Sequence, residues 1–115
     1  MPLIIVNRSS EVEDHVYIRL KNNLQKIVAD ALTCENPDGN LTGADIELWS
    51  RKKDYFDDLG FESLQIIVFA NDYPERRINL EERREKIQKR IKALLPSHLT
   101  GWVWILLAEG SFGKL

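Results

Sequence analysis

The sequence predicts an α+β domain in which two βαβ repeats form a four-stranded mixed sheet with two helices on one face. The triplet Leu41-Thr42-Gly43 recurs as Leu99-Thr100-Gly101, in each case after a helical segment and before an apolar stretch. Each half also holds one segment of helical periodicity between two short β-branched or aromatic runs. A strand joined through a helix to another strand of the same sheet usually lies parallel to it. We therefore expect one domain over residues 1–115, with pseudo-repeats 2–58 and 62–115.

The first repeat begins with the apolar, β-branched run from Leu3 to Asn7, which predicts a strand. Ser10-x-x-Glu13 has the spacing of a capping box and predicts that a helix starts there. Apolar residues then recur at helical spacing until the turn at 36–40, namely Val16, Leu20, Leu24, Ile27, Val28 and Ala31. A second strand is predicted from Ala44 to Ser50.

The second repeat follows the same order. Strands are predicted from Leu64 to Ala70 and from Trp102 to Leu107. Between them, Asn79-x-x-Glu82 predicts the start of a second helix. Its apolar positions lie on one face before a proline, Pro96, ends it, and they are Leu80, Ile87, Ile91, Leu94 and Leu95. The segment 51–61 joins the two halves as an edge hairpin or a loop.

With both helices on one face of the sheet, the other face has no cover within the domain. That face would carry either Asp45, Glu47 and Trp49 or their alternates, and one alternating set from the last strand. An exposed sheet face with large aromatic side chains is typical of a surface that binds a partner. We therefore expect several subunits to associate symmetrically through this face.

Composition excludes several classes of function. The net charge of −2 and the pI near 5.7 provide no basic field for nucleic acid, and no apolar run is long enough to span a bilayer. Cys34 is the only cysteine, and His15 and His98 lie far apart, so neither a disulfide framework nor a zinc site is expected. The start of the chain lacks the pattern of a secretory signal. We expect a cytoplasmic protein with no metal, cofactor, nucleic acid or membrane partner.

Pro2 is the strongest indication of chemistry in the sequence. Because the initiator methionine is generally removed ahead of a small residue such as proline, the mature chain would begin with a secondary amine at the tip of a strand. An α-amino group ordinarily titrates at about pH 7.7–8.0. Desolvation or a nearby cation lowers its pKa toward the working range of a general base. A proline at the start of a strand also has a purely structural explanation.

Three segments carry a resemblance to a known family: Met-Pro-Leu-Ile-Ile-Val-Asn at the start, Arg76-Arg77-x-Asn79-Leu80-Glu81-x-Arg83 before the second helix, and Glu109-Gly110-Ser111-Phe112-Gly113 near the end. Together with the two βαβ halves and the length of the chain, they resemble the tautomerase superfamily, whose members use an amino-terminal proline as catalytic base. The resemblance implies a homotrimeric tautomerase without a cofactor. Such an enzyme moves a proton between the keto and enol forms of a small carboxylated substrate.

The resemblance also implies roles for individual residues. Pro2 would be the base, and Arg76 or Arg77 would bind the substrate carboxylate and polarise the developing enolate. Of the two, Arg76 is preferred because it lies farther from the predicted helix. Arg8 and Arg51, which end the first and second strands, would contact the far end of the substrate. Three aromatic residues would form the apolar wall of the site, namely Trp49, Trp104 and Phe112. The alternative for the arginines is surface placement or, for Arg76 and Arg77, a salt bridge with Glu81 or Glu82 at the helix start. The alternative for the aromatic residues is core or subunit packing.

Two other functions stay open. Asp45 and Glu47 would hold or activate water if the chain were a decarboxylase or hydratase of the same superfamily. The competing class is a non-catalytic, ferredoxin-like module that binds a ligand or another protein between subunits. That module would explain the sheet, the helices and the aromatic face equally well.

Overall fold

The computed structural model describes residues 2–36, 38–55, 57, 58, 60, 62–111 and 113–115. The elements in chain order are strand β1 (Leu3–Arg8), helix α1 (Asp14–Leu32), a 3-10 helix (Gly43–Asp45), strands β2 (Glu47–Lys52) and β3 (Leu64–Asn71), helices α2 (Pro74–Arg77) and α3 (Leu80–Lys92), and strand β4 (Gly101–Ala108). Each predicted strand and both predicted helices therefore have a counterpart in the structure.

The four strands form one mixed sheet in the order β2-β1-β3-β4. β1 runs parallel to β2, β3 runs parallel to β4, and the two central strands, β1 and β3, are antiparallel. Each half of the chain thus contributes one parallel pair, as expected for a βαβ unit. The predicted fold class, an α+β domain with a four-stranded mixed sheet, is confirmed.

Alternation along the two central strands buries one face of the sheet. Alternate residues of β1 and β3 are buried there, including Ile4, Val6, Ile66 and Val68. The buried face of α1 and two isoleucines of α3 complete the core, with Leu20, Leu24, Ile27, Val28, Ile87 and Ile91. Each such side chain contributes about 1.5–3 kcal/mol on removal from water, so this layer is the main source of stability.

The opposite face of the sheet is apolar and partly exposed. One row of paired residues crosses all four strands, from Trp49 through Ile5 and Ile67 to Trp104. Trp49 is 58% exposed and Trp104 is 55% exposed. The next row includes Leu3 beside Phe69, another exposed aromatic residue. The prediction of an open face with large aromatic side chains is therefore confirmed.

The first half departs from the sequence-based interpretation at the start of α1 and at the start of β2. The predicted capping box at Ser10 and Glu13 is wrong, because α1 begins at Asp14 and Glu13 forms no side-chain cap. Two contacts of Val12 hold the preceding turn instead. Its side chain is buried, and its amide donates to the carbonyl oxygen of Ser9. β2 also starts later than predicted. The residues before it form the 3-10 helix, and a capping box of Thr42 and Asp45 caps the N-terminus of that helix.

The second half contains one helix that the sequence analysis missed. The polar turn after β3 forms the four-residue helix α2, with Pro74 in its first turn. α3 begins at Leu80, as predicted, but the side chain of Asn79 accepts a hydrogen bond from Arg83 Nε at 2.6 Å and does not cap the backbone. α3 ends at Lys92, before Pro96, because the chain turns as the amide of Leu94 bonds to Ile91.

Candidate active site

Pro2 is buried at the start of the central strand β1. Its carbonyl oxygen accepts a hydrogen bond from the amide of Glu47 at 3.1 Å. Since Leu3 pairs with Glu47 and with Phe69, the register places Pro2 between Ile46 and Ala70. Both of these neighbours are buried apolar residues. Pro2 therefore lies in apolar surroundings at one end of the sheet.

The same end of the sheet carries the arginine pair. β3 is antiparallel to β1, so its last residues lie beside Pro2, and α2 follows within three residues of the end of β3. Arg76 and Arg77 are adjacent on this short helix. Their side chains have opposite environments.

Arg76 is 1% exposed, and its guanidinium group forms hydrogen bonds with backbone carbonyl oxygens. Nε donates to the carbonyl oxygen of Leu32 at 2.9 Å, Nη1 to Asn71 at 3.1 Å and Nη2 to Gly39 at 3.4 Å. The guanidinium also stacks on the ring of Tyr73, at 4.9 Å from its centroid. Burial lowers the pKa of Arg76 from its usual range. Arg76 thus ties the end of β3 to the end of α1.

Arg83 has a similar role, which the sequence analysis missed. Its Nη1 atom donates to the carbonyl oxygens of Ala31 at 2.9 Å and Thr33 at 2.8 Å, and Nη2 donates to the backbone carbonyl oxygen of Glu75 at 3.1 Å. The last turn of α1 contains no basic residue of its own. Arg76 and Arg83 therefore satisfy carbonyl groups that a helix leaves unpaired at its C-terminus and place positive charge at the negative end of its dipole.

Arg77, and not the preferred Arg76, has a side chain that a ligand could reach. Its side chain is 59% exposed, and its Nε atom lies 2.7 Å from Asp72 Oδ1. This ion pair differs from the predicted alternative, a salt bridge with Glu81 or Glu82. Asp72 is itself held at the sheet, because its amide donates to the carbonyl oxygen of Ala108 at 3.1 Å. The two Nη groups of Arg77 form no hydrogen bond with another described residue.

Arg8 and Arg51 lie at the opposite end of the sheet from Pro2. Arg8 is six residues along β1 from Pro2, about 20 Å at the usual rise of a strand. Its guanidinium pairs with Asp14 at 3.0 Å and stacks over Tyr17 at 4.4 Å. Arg51 pairs with Asp57, which raises the pKa of Arg51. Within one chain, the structure therefore does not bring either arginine to Pro2.

The predicted aromatic wall is divided. Trp49 and Trp104 lie on the open face of the sheet, in the row that contains Ile5. Ile5 is three residues from Pro2, about 10 Å along the strand. Phe112 lies outside the described residues.

Two carboxylates flank the start of β2, next to Pro2. Asp45 Oδ2 accepts hydrogen bonds from the backbone amide of Thr42 at 2.7 Å and from its hydroxyl at 3.1 Å. These bonds lower the pKa of Asp45, which is therefore ionised at neutral pH. Glu47 is exposed on the open face beside Leu3.

A cavity of about 690 Å³ lies at this end of the molecule, between the end of α1 and α2. Thr33, Cys34 and Glu75 contribute to its lining, whereas Pro2 does not. The described residues contain no group of three or more histidine, cysteine, aspartate or glutamate side chains that could hold a metal ion. No helix among the described residues is both long enough and apolar enough to span a membrane.

Comparison with solved structures identifies the fold. The chain is similar to the R7 fused 4-OT wild type asymmetric trimer, with 12% identity, a TM-score of 0.66, and coverage of 98% of this chain and 91% of that chain. It is also similar to FG41 malonate semialdehyde decarboxylase inhibited by 3-bromopropiolate, with 13% identity, a TM-score of 0.61, and coverage of 97% of this chain and 89% of that chain. A third similar structure is the macrophage migration inhibitory factor-like protein of Entamoeba histolytica, with 10% identity, a TM-score of 0.60, and coverage of 96% of this chain and 89% of that chain.

No protein-family model matches this sequence, and no curated protein matches it significantly. The three structures nevertheless match this chain over nearly their whole length. The resemblance drawn from the sequence segments is confirmed at the level of architecture, because the chain shares the fold of these proteins.

Proposed function

We propose that this protein is a tautomerase that moves a proton between the keto and enol forms of a small carboxylated substrate, with Pro2 as the general base. The supporting observation is the burial of Pro2 at the same end of the sheet as the exposed guanidinium of Arg77. A desolvated amine near a cation has a lowered pKa. Such an amine is able to accept and return a proton near neutral pH.

The proposed reaction needs only these two groups. The nitrogen of Pro2 accepts a proton from the carbon next to the carbonyl, and the C–H electron pair forms the enolate. The Nη groups of Arg77 bind the carboxylate and stabilise the negative charge on the enolate oxygen. The protonated amine then gives the proton to the enolate oxygen, which yields the enol, and ketonisation runs through the same steps in reverse. No electrons are gained or lost overall.

Wild-type turnover tests the proposal. Intact-mass measurement establishes whether Met1 is removed, and phenylenolpyruvate and 2-hydroxymuconate serve as substrates in an absorbance assay of ketonisation. We expect saturable turnover by the processed chain. Processed protein that turns over neither compound would favour the non-catalytic ligand-binding module.

Replacement of Arg77 by glutamine should lower kcat/KM by about 10- to 100-fold, through a higher KM from the lost carboxylate contact and a lower kcat from the lost enolate contact. The reason is the loss of a charge-assisted hydrogen bond to the substrate carboxylate, worth about 1.5–3 kcal/mol. Steady-state kinetics measures the change. Arg19→Gln, which alters an exposed arginine on α1, is the matched control and should leave KM unchanged. Equal kinetics for both variants would remove Arg77 from the proposal.

We also propose that the subunits form a homotrimer through the open face of the sheet. The apolar row from Trp49 to Trp104 supports association, and a similar structure, the fused 4-OT, is a trimer. Arg8 and Arg51 would then reach only a substrate bound at Pro2 of another subunit. The expected particle contains three chains of 13.4 kDa.

Replacement of Trp104 by glutamate should dissociate this assembly. The variant puts an unpaired charge into an apolar interface, which costs several kcal/mol and raises the dissociation constant by more than about 100-fold. Sedimentation velocity measures the particle mass. Ile78→Glu is the control, since Ile78 is 85% exposed on α2–α3 and outside the sheet. A Trp104 variant that keeps the wild-type mass would place the interface elsewhere.

Decarboxylation is the second candidate function. Its support is the pair of carboxylates at the start of β2, where the amide of Glu47 bonds to Pro2, together with the similarity to a malonate semialdehyde decarboxylase. Release of carbon dioxide from a small oxo acid, lost in Asp45→Asn or Glu47→Gln, would favour this reaction over tautomerisation.

A further inference from the structure

A second cleft lies between α3 and β4, at the end of the sheet opposite Pro2. Its volume is about 600 Å³, within the range of sites that bind small organic molecules. Leu64 lines the cleft and pairs with Arg8, six residues along β1 from Pro2. That separation is about 20 Å. The cleft is therefore distinct from the proposed tautomerase site of the same chain.

The floor of the cleft is apolar. It is lined by side chains from β3, α3, the following turn and β4, including Leu64, Ile66, Ile91, Leu95 and Val103. Ile66 belongs to the buried, helix-facing side of the sheet. An assembly through the open face would therefore leave this floor on the other side of the sheet.

Glu62 provides an unusual polar group in this lining. Its Oε2 atom is buried and has no hydrogen-bond partner among the described residues. A carboxylate oxygen accepts hydrogen bonds but donates none when ionised. A buried oxygen without a hydrogen-bond partner is unfavourable, so a donor that reached it would stabilise the complex.

Lys92 contributes a positive charge to the same lining. Its side chain is exposed, and no ion pair joins it to Glu62 among the described residues. The lining thus contains an unpaired acceptor on Glu62 and a separate cation that stays in water. Glu62 would favour a positively charged ligand, whereas Lys92 would favour a negatively charged one.

We infer that the α3–β4 cleft binds a small apolar molecule with a protonated amine, whose N–H group donates to the carboxylate of Glu62 once the side chain turns Oε2 toward the cleft, while its hydrocarbon part covers the floor. The orphan acceptor on Glu62 selects a cationic donor over a carboxylate or a neutral hydroxyl. The apolar floor selects a hydrocarbon body over a polar one. This inference does not depend on the reaction at Pro2.

Calorimetric titration with hexylamine, hexanol and hexanoate tests the inference, because the three probes share one chain length and differ in charge. We expect saturable binding of hexylamine, at least tenfold tighter than that of hexanol or hexanoate. Amide shifts confined to Gly101, Ser97 and their neighbours would locate the bound amine in the cleft. Tighter binding of hexanoate would assign the ligand to Lys92 and overturn the inference, as would no saturable binding of the amine.

Glu62→Gln should weaken hexylamine binding at least tenfold while leaving hexanol binding unchanged, since the substitution removes the charge and keeps the shape of the side chain. Glu85→Gln is the matched control, because Glu85 is an exposed glutamate on α3 outside the lining. Equal amine affinity in the wild type and Glu62→Gln would overturn the inference. Circular dichroism of each variant checks that the fold is retained.

Discussion

Replacement of Pro2 by alanine should lower kcat at least about 100-fold, the usual contribution of a general base. The variant still begins with an amine, but a primary one whose substituents and basicity differ from those of proline. Because Pro2 is buried, replacement of its ring by a methyl group leaves space through which water reaches the nitrogen. Both changes move the amine away from the desolvated state that lowers its pKa.

A second change separates chemistry from packing at this position. A chain that keeps a short peptide ahead of Pro2 has an amide nitrogen there, which is not a base. This extended protein should have no measurable turnover, while circular dichroism and sedimentation check its fold and assembly. In the wild type, kcat/KM should fall as the pH drops below the pKa of the amine, since protonation removes the base.

Three results would contradict the assignment of Pro2. The first is activity in the extended protein equal to that of the processed wild type. The second is an amine of ordinary pKa, measured by NMR titration of the processed chain, and the third concerns the two variants. Loss of turnover in Arg77→Gln with full activity in Pro2→Ala would indicate that another group carries the proton.

The strands and the two long helices could be predicted because their signals are local and repeated. The apolar spacing of α1 extends over 19 residues, and the β-branched runs of β1 and β3 alternate between a buried and an open face. α2 has only four residues, fewer than two helical turns, so no periodicity is available to detect it. Its formation depends on Pro74 and on contacts with α1 that are distant in sequence.

The different roles of Arg76 and Arg77 could not be predicted for the same reason. Adjacent positions on a helix face in different directions, and only the folded structure determines that one direction leads to the end of α1 and the other to Asp72. Likewise, Asn79 was correctly placed at a helix start, but its side chain bonds to Arg83. The sequence analysis identified the residues of the candidate site more readily than the partners of each residue.

Replacement of Arg76 by methionine should destabilise the protein by about 3 kcal/mol, although the side chain has a similar length. Methionine fills the buried space but donates no hydrogen bond, so the carbonyl groups of Leu32, Asn71 and Gly39 lose their partner. Hydrogen bonds to a charged group contribute about 1.5–3 kcal/mol each, and partial relaxation offsets part of the sum. Urea unfolding followed by circular dichroism measures the change as a lower midpoint with an unchanged slope.

The neighbouring arginine is the control for this experiment. Arg77→Met removes a guanidinium of the same kind, but its ion pair with Asp72 is solvent-exposed on the arginine side and contributes at most about 1 kcal/mol. Arg76→Lys should fall between the two, because lysine keeps the charge but cannot span three carbonyl groups with a planar fork. Since Arg76 joins the end of α1 to the end of β3, its loss should also move Arg77 relative to Pro2. Equal stability of the two methionine variants would contradict the structural role assigned to Arg76, and would make it, again, a possible ligand for the substrate carboxylate.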